Sequence, residues 1–184
     1  MNIELFRIIN DAGKEFEVLN PVMVFIANNA IYLLAAAVLV YLFSRKPGNR
    51  LMVVSGLAAL ILAEIAGKIA GMFYSNHQPF ATLADVNQLI EMEVNNSFPS
   101  DHTIIFFTMS VTFWLYKRKH TYLWILLAVI VGFSRIWAGV HYPADIAVGA
   151  MLGSAFAYLG YVLIAKVKYV NKNNLAGKEN VKNL

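Results

Sequence analysis

The sequence predicts an all-α integral-membrane helical bundle with about five transmembrane helices and an N-terminal interfacial helix. Three observations predict it. Of 184 residues, 59% are hydrophobic and only 14% charged, the balance of a polytopic membrane protein rather than of a soluble domain of this size. The apolar residues gather into five runs, most of them near the ~20 residues that a helix needs to cross the hydrocarbon core. The basic residues cluster between alternate runs, as topology signals do.

In chain order, residues 1–19 mix Glu4, Arg7, Asp11, Lys14, Glu15 and Glu17 with Ile3, Phe6, Ile9 and Phe16. A signal peptide would show a basic start followed by an apolar core. This pattern instead suits an amphipathic helix lying at the interface. The first apolar run extends from about Pro21 to Phe43, and the second from Leu51 to Phe73, interrupted by Glu64 and Lys68. The third, from about Thr103 to Tyr116, is short for a span. It suffices only if the turn beginning at Ser100 is counted and sits in a polar cavity inside the bundle. The fourth runs from Tyr122 to about Val140, and the last from Pro143 to Ala165. One membrane-embedded domain, residues 1–168, is therefore expected. A polar, Asn- and Lys-rich cytoplasmic tail, 169–184, has the composition of a disordered segment.

The net charge of +4 does not indicate nucleic acid, because the cations sit in short clusters at the ends of apolar runs. Arg45, Lys46 and Arg50 fall in the first connection and Lys117, Arg118 and Lys119 in the third. Lys166, Lys168, Lys172, Lys178 and Lys182 follow the last run. Placing these on the cytoplasmic side puts Lys68, His77, His102, Arg135 and His141 toward the outside. Two motifs far apart in sequence then meet at one membrane face. The chain has no cysteine, which excludes disulfides and thiolate metal sites.

The chemistry concentrates in Phe98-Pro99-Ser100-Asp101-His102 and in Ser134-Arg135 through His141-Tyr142-Pro143-Ala144-Asp145. Ionisable residues beside membrane spans generally have a function. Pro143 fits the first turn of the last helix, which sets His141 just before that helix and Asp145 inside its first turn. A carboxylate there reaches back to the preceding residues, where it can hold one imidazole nitrogen and leave the other as a nucleophile. Taken alone, His-x-x-x-Asp is equally a helix-start pattern. Arg135, six residues earlier, adds a planar fork suited to phosphate oxygens, although a lone boundary arginine often snorkels to headgroups. Ser100 stands at the N-cap of the third helix, where free backbone N–H groups and the helix dipole favour an anion. His102, two residues on, could face the same cavity and give a proton to a leaving oxygen. Lys68 reads either as a phosphate-binding cation set by Glu64 or as half of a self-neutralising i, i+4 pair. Three histidines on one side raise a metal site, but none of them has helical i, i+4 spacing. His77 and His120 read as loop residues.

Together these residues resemble the type 2 phosphatidic acid phosphatase superfamily, whose motifs run Lys-x6-Arg-Pro, Pro-Ser-Gly-His and Ser-Arg-x5-His-x3-Asp. The third is complete at Ser134, Arg135, His141 and Asp145, and the second matches at Pro99, Ser100 and His102. Asp101 replaces the usual Gly; Lys68 lies ten residues before Gln78, which replaces the Arg ahead of Pro79. The length and the Phe-Pro-Ser-Asp-His string are most similar to bacitracin-resistance-type undecaprenyl-diphosphatases. The resemblance implies a multi-pass bacterial cell-membrane enzyme that cleaves undecaprenyl diphosphate at the outer face and recycles the cell-wall lipid carrier. It implies His141 as nucleophile, Asp145 as its orienting partner and His102 as acid. Lys68, Ser100 and Arg135 would hold the phosphate, with Gln78 and Asp101 as further contacts and Glu64 and Ser134 in support. No metal, cofactor or obligate protein partner is implied beyond the polyprenyl diphosphate and the bilayer. Phosphatidylglycerophosphate, phosphatidate or another lipid phosphate is an alternative substrate. A non-catalytic polyprenyl-phosphate-binding membrane protein is the alternative of another class.

Overall fold

A computed structural model describes the backbone of residues 1–182 and the side chains of residues 1–164. The expectation for the tail, 169–184, falls outside the described side chains. The helices are α1 (Asn2–Glu15), α2 (Asn20–Phe43), α3 (Asn49–Phe73), the short α4 (Pro79–Thr82), α5 (Asp101–Leu115), α6 (Thr121–Trp137) and α7 (Pro143–Lys182). A single 3₁₀ turn, Glu17–Leu19, joins α1 to α2. Helices are forced on such a chain because a bilayer offers its backbone no other hydrogen-bond partners.

Three segments are long and apolar enough to cross a membrane, namely Glu17–Phe43, Asn49–Phe73 and Pro143–Ile164. The 15 residues of α5 and 17 of α6 complete the bundle. At ~1.5 Å per residue, α5 and α6 are about 22 and 25 Å long, against about 30 Å of hydrocarbon. A recess beside the start of α5 is bordered by Gly67, Lys68, Gly71 and Met72 of α3 and by the 74–100 connection.

Helix α5 is central, packed on α3, α6 and α7. Its approach to α7 is close because Gly149 and Gly153 face it one turn apart. A Cβ at Gly149 would lie 2.9 Å from Ser100 O, and one at Gly153 2.7 Å from Ile104 O. Small residues of this kind let membrane helices touch backbone to backbone. The apolar core, including Met52, Phe106, Met109, Phe113 and Val131, fills the space among α2, α3, α5 and α6. Outward-facing residues such as Phe25, Leu33, Ile61, Ile65, Leu126 and Val129 stay exposed, as a surface solvated by lipid requires.

Loops sort to two ends. Arg118 Nη2 approaches Pro47 O at 3.5 Å, joining the two basic connections. The 74–100 connection, the α6–α7 connection and α1 share the opposite end. There Phe6 of α1 packs with Ile136 and Tyr142, its ring 5.5 Å from that of Tyr142. Lys14 Nζ bonds Asp85 Oδ2 at 2.9 Å. That hydrogen bond holds the Asp85 carboxyl below its ordinary range and pushes Lys14 up.

Candidate active site

Pro143 starts α7, with its missing N–H at a position where no partner is needed. Asp145 then occupies the third helical position, and its Oδ2 accepts the Tyr142 N–H at 2.8 Å. This is the reach-back of a capping box, with an aspartate in the acidic place. The same Oδ2 lies 3.5 Å from Nδ1 of His141. Asp145 is only 1% exposed and His141 8%, so neither is held by solvent. With Nδ1 turned to the carboxylate, Nε2 is the ring nitrogen left for the cavity that His141 lines.

That cavity holds about 410 Å³ and has Lys68, Asp101, His102, Arg135 and His141 in its walls. The two motifs are thus brought together, one from the start of α5 and the other from the end of α6 and the connection to α7. Arg135 arrives from the last turn of α6, buried at 5% exposure. Among the described residues its Nε has no hydrogen-bond partner. A buried guanidinium with an unmade donor bond, on a residue that lines the cavity, favours an anion nearby, since an unmade bond there carries a desolvation cost.

Ser100 occupies the N-cap position of α5, but its side chain makes no capping bond. Its Oγ is fully buried and unpartnered among the described residues. The Ser100 N–H instead donates to Asp145 O at 3.3 Å, which ties the start of α5 to the start of α7. The hydroxyl leaves the first N–H groups of α5 uncapped, as the anion-binding expectation requires. Asp101 is exposed in the first turn of α5.

Lys68 and Glu64 lie one turn apart on α3, yet among the described residues they form no ion pair. Glu64 Oε1 is buried without a partner. Ser134 is fully buried, its Oγ bonded back to Val131 O at 2.7 Å. Gln78 borders the cavity but spends its amide on the loop: Nε2 donates to Asn95 Oδ1, and Oε1 accepts the Asn95 N–H at 3.0 Å. Its neutral amide thereby fixes the roof. His77 stays exposed in that roof, with Nδ1 3.3 Å from Asn95 O. Asn95, Asn96, Met72 and Met92 also border the cavity. Sequence reasoning passed over them; the Asn95-Asn96 pair directly before the Pro-Ser motif was the available signal.

A sequence profile of the PAP2 superfamily matches residues 52–169, which include every candidate residue above. The chain belongs to the PAP2 superfamily. It is 49% identical over 172 residues to a Bacillus licheniformis protein named bacitracin transport permease protein BcrC, covering 94% of this chain and 85% of that one. It is 31% identical over 147 residues to the undecaprenyl-diphosphatase BcrC of Bacillus subtilis, covering 79% and 75% of the two chains. The crystal structure of Aquifex aeolicus LpxE aligns with a TM-score of 0.74 at 28% identity, covering 86% of this chain and 93% of that one. In this PAP2-superfamily membrane protein, His141 lines a cavity that also has Lys68 and Arg135 in its walls.

Proposed function

We propose that this chain is a lipid-diphosphate phosphatase that releases the terminal phosphate of undecaprenyl diphosphate through a phosphohistidine. The observation that carries the reading is that His141, paired with Asp145, shares one cavity with Arg135, whose buried Nε has no partner among the described residues. Relatives named undecaprenyl-diphosphatase supply the substrate.

In the first step Nε2 of His141 attacks the terminal phosphorus, forming a P–N bond as the P–O bond to the leaving lipid phosphate breaks. The charge that grows on the imidazole faces the Asp145 carboxylate. His102 gives its proton to the departing oxygen. In the second step a water oxygen attacks the phosphorus, its proton passes to His102, and the P–N bond breaks to free inorganic phosphate and His141. The phosphoryl oxygens carry the spread charge of the transition state. Lys68, Arg135 and the free N–H groups at the start of α5 are placed to stabilise it without reorganising.

The basic loops at the far end support a site at the outer face of a bacterial cell membrane. There the reaction returns lipid carrier to cell-wall synthesis. A permease-like role, suggested by one relative's name, would need neither a nucleophile pair nor a proton donor. Phosphate release decides between the two readings. Purified protein is given undecaprenyl diphosphate, phosphatidylglycerophosphate and phosphatidate side by side. Fastest release from the diphosphate, abolished in His141→Ala while binding of a phosphate analogue persists, is the expected result. Substantial turnover by His141→Ala would remove the nucleophile, and no release from any lipid would remove the enzyme.

A further inference from the structure

We propose that Asn10, on the N-terminal helix and outside the residues matched by the superfamily profile, is a positioning residue for the Arg135–His141 pair. The proposal rests on the phosphohistidine reading, and its test fails separately from that reading.

Asn10 is 0% exposed, although α1 is otherwise an amphipathic surface helix. A buried primary amide is costly unless its donors and acceptor are used. Here they are. Nδ2 donates to Trp137 O and to Asn87 O, both at 2.9 Å. Oδ1 accepts the Asn87 N–H at 2.9 Å. Trp137 is the last residue of α6, and a helix leaves its final carbonyls without internal partners. It stands two residues after Arg135 and four before His141. Asn10 therefore grips the spacer that sets how far the anion-binding guanidinium lies from the nucleophile.

The rest of the spacer is built onto that grip. Gly139 has φ +81°, and a Cβ there would lie 2.8 Å from Asn87 O and 3.3 Å from Asn10 Nδ2. The left-handed turn thus runs directly against the Asn10–Asn87 clamp, and only glycine fits. The Leu89 N–H donates to Ala138 O at 3.2 Å. Two further bonds bring α1 and its junction to the same place. Trp137 Nε1 donates to Asn20 Oδ1 at 2.8 Å, and Asn2 Oδ1 accepts the Ala144 N–H at 3.0 Å. Helix α1 consequently holds one side of the spacer at Trp137 and the first turn of α7 at Ala144.

In-line attack demands that His141 and Arg135 keep their separation, and misplacement of ~1 Å by a remote change costs about 100-fold. The full-length protein is assayed with undecaprenyl diphosphate as wild type, Asn10→Ala, Asn2→Ala and Lys14→Ala. Each is titrated with two inhibitors: orthovanadate, which mimics the five-coordinate phosphorus on the nucleophile, and inorganic phosphate. Asn10→Ala is expected to lower kcat by about 10- to 100-fold, to raise the vanadate Ki by a similar factor, and to leave the phosphate Ki within about twofold. Asn2→Ala is expected to show the same pattern at about 3- to 10-fold, and it carries the test if Asn10→Ala does not fold. Lys14→Ala, which removes exposed contacts to Asp11 and Asp85 but none to the spacer, keeps wild-type kcat.

A merely structural role would lower kcat by removing active molecules while leaving both Ki values unchanged, and that result in the assayed variant overturns the proposal. So does an equal loss of kcat in Lys14→Ala. Failure of the phosphohistidine reading looks different: wild-type enzyme indifferent to vanadate, with His141→Ala still active.

Discussion

Asp145→Asn changes a charge and almost no shape. The carboxylate oxygen that accepts the Tyr142 N–H is the one that faces His141, at 2.8 and 3.5 Å. An asparagine carbonyl can fill both positions as a neutral acceptor. What it removes is the charge opposite the imidazole as that ring becomes cationic in the attack. For unit charges at the observed separation, with the effective dielectric of ~20 suited to protein sites, the interaction is about 5 kcal/mol. That sets a ceiling of roughly three to four orders of magnitude in rate, at ~1.4 kcal/mol per decade. The charge on the ring is only partly developed at the transition state, so kcat should fall by about 100- to 1,000-fold. Stability should change little, because Tyr142 keeps its acceptor. Asp145→Ala provides the contrast: it strands the buried Tyr142 N–H, at about 1–3 kcal/mol of unfolding free energy. The assay is steady-state phosphate release from undecaprenyl diphosphate alongside thermal unfolding of the same preparations. Wild-type kcat in Asp145→Asn would refute the orienting role. A loss of activity that merely follows loss of folded protein would refute it equally.

His102→Ala should damage cleavage of a lipid monophosphate more than of the matching diphosphate, because an alkoxide needs the proton more than a phosphate does. Assistance of ~100- to 10,000-fold is at stake, and equal loss of kcat/KM on both substrates would count against His102 as the acid. Activity should survive strong chelation, since the phosphate anchors proposed here are cations and backbone donors; loss on chelation, restored by magnesium or zinc, would remove that mechanism. In this cysteine-free chain, Glu91→Cys should be labelled by an impermeant thiol reagent on intact cells and Lys46→Cys should not. The reverse pattern would invert the topology.

The order of helices was readable because hydropathy is a local property of the chain. The edges of α2 and α3 lie within two residues of the apolar runs. The fourth run was read to about Val140, whereas α6 stops at Trp137. The reason is that Ala138, Gly139 and Val140 are apolar yet fold as a turn against α1 and the outer loop, a tertiary contact that hydropathy does not register. The short third run was also readable, together with its consequence, a polar recess in the bundle.

The sequence by itself determined the membrane class, the candidate chemistry and the meeting of two motifs at one end, because spacing along helices of alternating direction carries that information. Tertiary structure alone decided what each polar side chain does. It gave Asp145 both the Tyr142 N–H and His141. It left the Ser100 hydroxyl without its cap bond and engaged Gln78 with Asn95. It drew Asn10 of an interfacial helix into the buried support of the Arg135–His141 spacer. Hydrogen bonds between residues 127 positions apart have no periodicity to betray them. They exist only once the helices have packed and the backbone groups left open at their ends must find partners.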